Sequence, residues 1–302
     1  MRISNIKTSL LLTAVLMPLL LLSSCSKPER SSAKKKKSAP ALMLATTPVK
    51  DQGGEQACWI YAMLACIETD RIEQYGDSVD LSPEWVIKAL YKENALRQRV
   101  MGRGTKSQVR GMGPDALRLI EHYGLIPNGT RPGKDDGFYL YSMQYTPRQL
   151  AGSVYQPGDW QWLTSFSHHK YGERFALEVP DNTHFNEFLN VPPDSLLAIT
   201  LRSLNEHHPV FWEGTMKDIR NTGNKSASQL ASRRQKLFES HVLTDDHAMA
   251  IVGLHRKKDG SLHFIMKNSW GKSWGKNGYG ILPVNDFLLR TIMIGVREYN
   301  GK

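Results

Sequence analysis

Hydrophobic and polar residues follow three different patterns along the chain. An apolar run, Leu10 to Leu22, comes first and carries no charge. From Cys58 onward, apolar residues recur at helical spacing until Gly76, which predicts one helix that ends at that glycine. Further along, two apolar runs flank the turn dipeptide Asp259-Gly260, which predicts a β-hairpin. The chain is therefore expected to combine a separate N-terminal segment with a fold of helices and strands.

The N-terminal segment has the organisation of an export signal. Two basic residues precede the apolar run, and small residues follow it before Cys25. The run is shorter than the ~20 residues that a membrane-spanning helix needs. The motif "LSSC" resembles a bacterial lipobox, in which the peptide is cut before a cysteine that then receives lipid. We therefore predict a signal peptide over 1–24 and lipidation of Cys25; a secretory signal cut elsewhere and a single membrane anchor are the alternatives.

The segment after Cys25 differs in composition from the rest of the chain. Residues 25–45 are rich in Ser, Pro and Lys, which predicts a disordered basic tether. A lipidated Cys25 would hold the protein on a membrane of the bacterial cell envelope, facing the periplasm or the exterior. Which membrane and leaflet hold the lipid stays open.

Charge and composition exclude some classes of function. The chain has 302 residues, 40% of them hydrophobic, which is enough to bury a substantial core. Most of the formal charge of +10 lies in the first forty residues, so nucleic acid is not an expected partner. The sequence contains neither a Gly-rich phosphate loop nor a His-Glu-x-x-His motif, and we expect neither a cofactor nor a metal.

Two cysteines, Cys58 and Cys66, remain for the folded part. They lie about 12 Å apart along one predicted helix, so they cannot form a disulfide with each other. Cys66 has apolar neighbours and is assigned to the core. Cys58 falls in the first turn of the helix, where the unpaired backbone N–H groups and the helix dipole favour a thiolate. Cys58 is therefore a candidate nucleophile.

A candidate partner for this thiol comes from the predicted hairpin. His247 begins the first strand and Asn268 closes the second. Pairing of the two strands brings their outer ends together, so the imidazole and the amide should be neighbours. Trp270 follows closely and could cover the contact with apolar surface.

Three segments together carry a family resemblance. "PVKDQGGEQACW", "DHAMAIVGL" and "KNSWGKSWGKNGYGIL" resemble the active-site blocks of papain-like cysteine peptidases, in the order of that family. The resemblance implies that Cys58 is the nucleophile, His247 the general base and acid, Asn268 the residue that orients the imidazole, and Gln52 an oxyanion donor. It also implies an α+β papain-like fold of two lobes with the active site between them. The helical lobe would span 46–132, and the β-barrel-like lobe 133–302.

Between the blocks, "DLSPEWVIKAL", "GMGPDALRLIEHYGLIP" and "TSFSHHKYGERFALEVPDN" more weakly resemble segments of the bleomycin hydrolase and bacterial aminopeptidase C branch. By the resemblance to papain-like enzymes, Gly111, Met112 and Gly113 would bind the substrate backbone, although a turn that begins a helix explains them equally well. Glu55 stands where many family members have a disulfide cysteine. Its carboxylate could disfavour the thiolate or favour cationic substrates. We count Glu55 and Trp270 among the candidate substrate-binding residues.

Several alternatives stay open at this stage. The spacing from Cys58 to His247 exceeds the typical ~130–150 residues, so we expect insertions at 133–165 and 214–243. Residues 281–299 are expected to be mostly core strand, which would leave no C-terminal arm in the cleft. The enzyme could be an endopeptidase or an aminopeptidase. An acyl or thioester transferase and a catalytically silent peptide-binding protein are the other candidate functions, and the oligomeric state is open.

Overall fold

The computed structural model of the chain describes residues 42–102, 109–133, 137–156, 158–219 and 225–298. All of them belong to one compact unit, which spans Lys37–Lys302. The predicted signal peptide, Cys25 and most of the predicted tether lie outside the described residues. Within the described residues, no helix has both the length and the apolar character needed to cross a membrane.

The first helix, α1, runs from Cys58 to Tyr75 and begins and ends where the sequence predicts. Gly76 follows in the left-handed conformation, with φ at 67°, and donates its N–H to the Ile72 carbonyl. Every residue from Trp59 to Asp70 is buried. A helix covered on all sides has no solvent face, so α1 is the central element of the helical part of the fold.

Six further helices complete the helical content of the described residues. The side chain of Ser82 caps α2 by accepting the Trp85 N–H, and Asp115 caps α3 by accepting the Met112 N–H. Their bounds are α2 Pro83–Met101, α3 Gly113–Tyr123, α4 Pro147–Val154, α5 Pro193–Asn205, α6 Ala227–Glu239 and α7 Val284–Arg290. Both α2 and α3 contact α1.

Nine strands form one sheet, and β2 and β3 form a separate hairpin. The strands are β1 Leu42–Met43, β2 Phe138–Leu140, β3 Met143–Tyr145, β4 Trp160–Thr164, β5 Arg174–Ala176, β6 Glu187–Asn190, β7 Val210–Gly214, β8 His247–Arg256, β9 Leu262–Lys267, β10 Tyr279–Pro283 and β11 Thr291–Arg297. The order is β10-β9-β8-β7-β11-β4-β6-β5, with β1 beside β8. The end strands β10 and β5 are not paired with each other, so the β-barrel-like part that we expected is an open sheet in the described residues.

The predicted hairpin is confirmed as β8 and β9. The strands pair antiparallel, with Ala250 opposite Lys267 and Leu254 opposite Phe264. Gly260 in the connecting turn has φ at 90°, which explains the Asp-Gly dipeptide. His247 consequently begins β8 at the same end of the hairpin where Asn268 follows β9.

Two expectations need correction. Leu42 and Met43, which we placed in the disordered tether, pair with β8, and Leu44 is buried. The apolar "LML" at the end of a polar segment supplies the surface that makes this pairing favourable. The expected core strand over 281–299 is interrupted by α7, because three consecutive apolar residues in "DFLLR" fill the core from a helix turn.

Candidate active site

Cys58 lines a cleft of about 220 Å³, and the other described cysteine, Cys66, does not. Cys58 is the first residue of α1 and is partly exposed as a whole residue, whereas Cys66 is fully buried. The cleft is also lined by Gln52, His247 and Trp270. The fold thus brings together residues that are nearly 200 positions apart in the sequence.

The His247 imidazole is oriented by Asn268. Its Nε2 atom lies 2.7 Å from the Asn268 Oδ1 atom, so Nε2 is the donor and Nδ1 is left for other partners. The same amide oxygen accepts the Ser269 N–H at 2.8 Å, which fixes the orientation of the amide. The Trp270 ring packs on the imidazole with a centroid distance of 4.4 Å. This neighbourhood matches the sequence-based expectation for all three side chains.

Gln52 is held in the cleft by its neighbours. Its Oε1 accepts from the Ser269 hydroxyl at 2.6 Å, and its backbone N–H donates to the Ser269 carbonyl at 2.8 Å. The Nε2 group also donates to the Glu55 carbonyl. An amide nitrogen has two N–H donors, so one remains for a ligand in the cleft.

Burial acts on the thiol and the imidazole in opposite directions. Burial raises the pKa of the Cys58 thiol to about 11, while the backbone N–H groups of Ala248 and Trp59 lower it. Burial lowers the pKa of His247, and the hydrogen bond that its Nε2–H group donates to Asn268 raises it. Each group alone is therefore disfavoured as an ion. The backbone N–H groups at the start of α1 lower the pKa of the Cys58 thiol but do not offset its burial, so formation of the thiolate depends on proton transfer to His247.

The candidate substrate-binding residues occupy different environments. Gly111 lines the cleft against the Trp59 ring, where a Cβ atom would lie 3.0 Å from the ring. The Met112 side chain is fully buried, and Gly113 packs under the Trp162 ring. Glu55 lines the cleft edge and accepts from the Tyr91 hydroxyl at 2.9 Å. Gly111 and Glu55 thus line the cleft, whereas Met112 and Gly113 are not among its lining residues.

Sequence reasoning missed an acidic part of the cleft. Its wall also contains Arg110, Asp181, Glu213 and Asp245. Glu213 lies in the otherwise apolar and buried strand β7. A carboxylate inside an apolar strand is a signal that the sequence does carry, because such a group is costly to bury without a function or a partner.

One group among the described residues has the spacing of a metal site: His168, His169 and Glu178. The Gln235 Oε1 atom accepts the Ser167 N–H, so the Gln235 Nε2 group points to His168 Nδ1 and donates to it. The proton of His168 is consequently on Nε2, where it is donated to Glu178. An Nε2 atom that carries a proton is not available as a metal ligand. The cluster is explained by hydrogen bonds.

Comparisons with known proteins agree with this arrangement. Residues 214–286, which contain His247 and Asn268, match the sequence model of the papain family cysteine proteases. Over 236 residues the chain is 22% identical to thiol protease SEN102 of Hemerocallis sp., covering 78% of this chain and 50% of the relative. It is 23% identical to cysteine proteinase EP-B 1 of Hordeum vulgare at the same coverage. The chain thus spans about half the length of these curated relatives.

Solved structures show the fold. The crystal structure of PepW from Lactobacillus rhamnosis matches with a TM-score of 0.62 and 15% sequence identity, over 85% of this chain and 81% of PepW. The mixed α+β class that we predicted is confirmed, and the fold is papain-like. The match of residues 214–286 confirms the resemblance to the papain family for the segment that contains two of the four catalytic candidates, His247 and Asn268.

Proposed function

We propose that the protein is a cysteine peptidase that hydrolyses peptide bonds through Cys58, His247 and Asn268. The observation that carries the proposal is the 2.7 Å hydrogen bond between His247 Nε2 and the buried Asn268 Oδ1, because His247 lines the same cleft as Cys58. It leaves Nδ1 as the nitrogen that can take the thiol proton. The match to the papain family and the papain-like fold support the same function.

The first half of the reaction forms a thioester. As a peptide carbonyl approaches, the Cys58 proton moves to His247 Nδ1 and the sulfur attacks the carbonyl carbon. Because each charged group is disfavoured alone in this buried site, the thiolate and the imidazolium form together as a pair. The imidazolium then gives its proton to the leaving amine as the C–N bond breaks.

The oxyanion of the tetrahedral intermediate needs hydrogen-bond donors. The free N–H of Gln52 Nε2 supplies one, and the Ser269 hydroxyl keeps this amide in place. The backbone N–H of Cys58, at the start of α1, has no partner within the helix and supplies another. Donors of this kind contribute about 3 kcal/mol each to the stability of the transition state.

The second half releases the acid. His247, now neutral again, takes a proton from water, and the hydroxide attacks the thioester carbonyl. The C–S bond breaks and the proton returns to the sulfur, which restores the thiol and the imidazole. Asn268 keeps the ring oriented through both halves.

The two free cysteines provide a matched test. We expect the protein to hydrolyse fluorogenic peptides and to be labelled at Cys58 by an epoxide such as E-64. Cys58→Ser should abolish both, whereas Cys66→Ser should retain both because Cys66 is buried in the core. Blocked peptides and peptides with a free amino terminus, assayed side by side, separate endopeptidase from aminopeptidase activity. Absence of both turnover and labelling in the wild-type protein would overturn the proposal.

We further propose that the protein is related to the bleomycin hydrolase and aminopeptidase C branch.

We also propose that lipid on Cys25 holds the protein on a membrane of the cell envelope. The motif "LSSC" after an apolar run supports the anchor. Growth with radiolabelled palmitate should label the wild-type protein, and Cys25→Ser should remove the label and release the protein from membranes. A Cys25→Ser protein that stays labelled and membrane-bound would contradict this anchor.

A further inference from the structure

The acidic part of the cleft contains more negative than positive groups. Asp181, Glu213 and Asp245 line the cleft together with one cation, Arg110. Arg110 Nε donates to Asp181 Oδ2 at 2.6 Å, and its Nη2 donates to the Asp245 backbone carbonyl at 2.6 Å. The guanidinium therefore pairs with Asp181 and leaves two carboxyl side chains without a charged partner.

These two carboxyl groups are buried and incompletely hydrogen-bonded. Glu213 is 2% exposed and Asp245 is 5% exposed. The Glu213 Oε2 and Asp245 Oδ2 atoms have no hydrogen-bond partner among the described residues. Buried carboxyl oxygens are rarely left unpaired, because each such atom costs about 1–3 kcal/mol. A donor from outside the chain would satisfy them.

Neighbouring acidic groups do not share this property. The carboxylate of Asp246, which also lines the cleft, accepts from Thr215, Met216 and Thr244. Glu55 lies at the exposed edge and accepts from Tyr91. The unsatisfied acceptors of the cleft are thus concentrated at Glu213 and Asp245. Both residues lie close to His247, because Asp245 precedes it by two residues and Glu213 in β7 pairs with Ala248, the residue after His247.

We propose that Glu213 and Asp245 form a specificity pocket that binds a cationic nitrogen of the peptide substrate, either an ammonium or a guanidinium group. The proposal rests on the peptidase function proposed above and names its substrate class. A bound ammonium would donate to the two unpaired oxygens and would balance the excess of negative charge. The source of the cation is a Lys or Arg side chain near the scissile bond or the free amino terminus of the peptide.

The raised pKa values of both carboxyl groups fit a site that binds a cation. Burial raises the pKa of Glu213 well above its usual range, and Asp245, Asp181 and Asp115 raise it further while Arg110 lowers it. Burial, followed by the charge of Asp181, raises the pKa of Asp245 to about 6. Without a bound cation, Glu213 and Asp245 therefore keep a proton at a higher pH than ordinary carboxyl groups do. A bound cation would displace that proton. The other ionisable groups that face the pocket are Cys58, His247, Asp246 and Glu55.

The first experiment compares peptide amide substrates that differ in one group. A set of blocked fluorogenic peptides carries Lys, Arg or norleucine at the positions preceding the scissile bond, and a second set carries a free or an acetylated amino terminus. We expect one cationic member to exceed its neutral partner in kcat/KM by about ten- to a hundredfold, the range of a charge-assisted hydrogen bond. The set that shows the preference identifies the source of the cation.

Isosteric variants assign the preference to the pocket. Glu213→Gln and Asp245→Asn should each reduce this preference, measured as the ratio of kcat/KM for the cationic peptide to kcat/KM for its neutral partner in the same variant, to less than about threefold. Glu173→Gln, which removes an exposed carboxylate outside the cleft, is the control and should keep the full preference. A ratio that stays unchanged in both variants, or no preference in the wild-type protein, would overturn the proposal.

A binding measurement separates this inference from the peptidase function. The Cys58→Ala protein, which cannot form a thioester, is titrated calorimetrically with two peptides that are acetylated at the amino terminus. One peptide has a lysine with a free side-chain ammonium, and the other has norleucine at the same position. We expect tighter binding of the lysine peptide by about tenfold or more, and loss of this difference when Glu213→Gln is added. If neither peptide is turned over by wild type but the lysine peptide binds selectively, the pocket stands and the peptidase function fails. If peptides are turned over without any cation preference in rate or binding, the pocket fails alone.

Discussion

The His247 side chain is held from two sides, by the amide of Asn268 and by the ring of Trp270. The amide is fixed in turn by the Ser269 N–H, and Ser269 also positions Gln52 through its hydroxyl. The three residues after β9 thus orient both the imidazole and an oxyanion donor. A single short segment controls the geometry of the proposed reaction.

Asn268→Ala tests the orientation of the imidazole. We expect a loss of about ten- to a hundredfold in kcat/KM for peptide substrates, because one hydrogen bond to a group that becomes charged is removed. Asn128→Ala is the matched control, since Asn128 is exposed and bonds to Asp80 away from the cleft. Unchanged kcat/KM in a folded Asn268→Ala protein would contradict the role of the amide.

The raised pKa of Asp245 predicts a pH-dependent stability. Burial raises this pKa to about 6, so the folded protein binds the proton more tightly than the unfolded chain does. The stability that this proton contributes is present below about pH 4 and is lost as the pH rises through 6, by about 3 kcal/mol in total. Asp245→Asn removes the effect. Urea denaturation should therefore show the variant gaining stability relative to wild type between pH 4 and pH 7, and a constant difference would contradict the prediction.

At this scale the sequence predicts the reacting groups better than the pocket beside them. His247 and Asn268 could be paired from the sequence because a hairpin places the two strand ends together. Glu213 and Asp181 lie in different elements with no local motif that relates them to Cys58. Their proximity follows only from the tertiary arrangement of β7 and the loops around it.

Among the elements, the β8–β9 hairpin and the segment that follows it carry the site. Asn268 donates its backbone N–H to the carbonyl of Gly278, at 3.0 Å. Gly278 has φ at 87°, and a Cβ atom there would lie 2.5 Å from the Val49 side chain. The loop between Asn268 and β10 is therefore closed by a residue that can only be glycine without displacement of its neighbours.

Gly278→Ala and Gly260→Ala make a matched pair, because both residues have positive φ and only Gly278 has a close neighbour. Gly260→Ala should cost about 1–2 kcal/mol of unfolding free energy from backbone strain. Gly278→Ala should cost a further 1–3 kcal/mol or so from overpacking against Val49, and it should lower kcat by displacing Asn268. Denaturant titration and peptide assays measure both effects. Equal costs for the two variants would show that the Val49 contact is unimportant.

Local sequence patterns predict the bounds of some elements but not the conformation of others. Helix α1 is bounded by Cys58 and Gly76, because turn residues and a left-handed glycine mark both ends locally. The short helix α7 could not be distinguished from a strand, since an apolar run of a few residues fits either structure when both are buried. In the structure α7 packs mainly against α6 and also contacts β9 and β10, so its conformation depends on tertiary packing.

Across the whole molecule, a buried polar network connects α1, β9 and the segment that precedes α1. Lys267 Nζ donates to the Thr47 carbonyl at 2.8 Å and to its hydroxyl at 2.9 Å, and that hydroxyl donates to Glu68 on α1. Lys50 also pairs with Glu68, at 2.7 Å. Because Asn268 directly follows Lys267, this network fixes the hairpin end that faces the Cys58 helix.

Strand β1 and the adjacent Leu44 contribute to the stability of the whole fold. Leu44 is 1% exposed, whereas its neighbour Met43 is 47% exposed. Leu44→Ala should therefore lower the unfolding free energy by about 2–5 kcal/mol. Met43→Ala should change it by less than about 0.5 kcal/mol. Urea denaturation measures both, and similar effects of the two variants would show that the segment does not pack as described.

The central claim, that Cys58 forms the covalent intermediate, is tested most directly by trapping the acyl-enzyme. The protein is mixed with a peptide ester, quenched in acid within milliseconds and digested for mass spectrometry. We predict that the acyl mass appears on the fragment containing Cys58, and that His247→Ala removes it because a buried thiol with a pKa of about 11 then stays protonated at neutral pH. An acyl group on another residue, or turnover with no adduct on Cys58, would contradict the account.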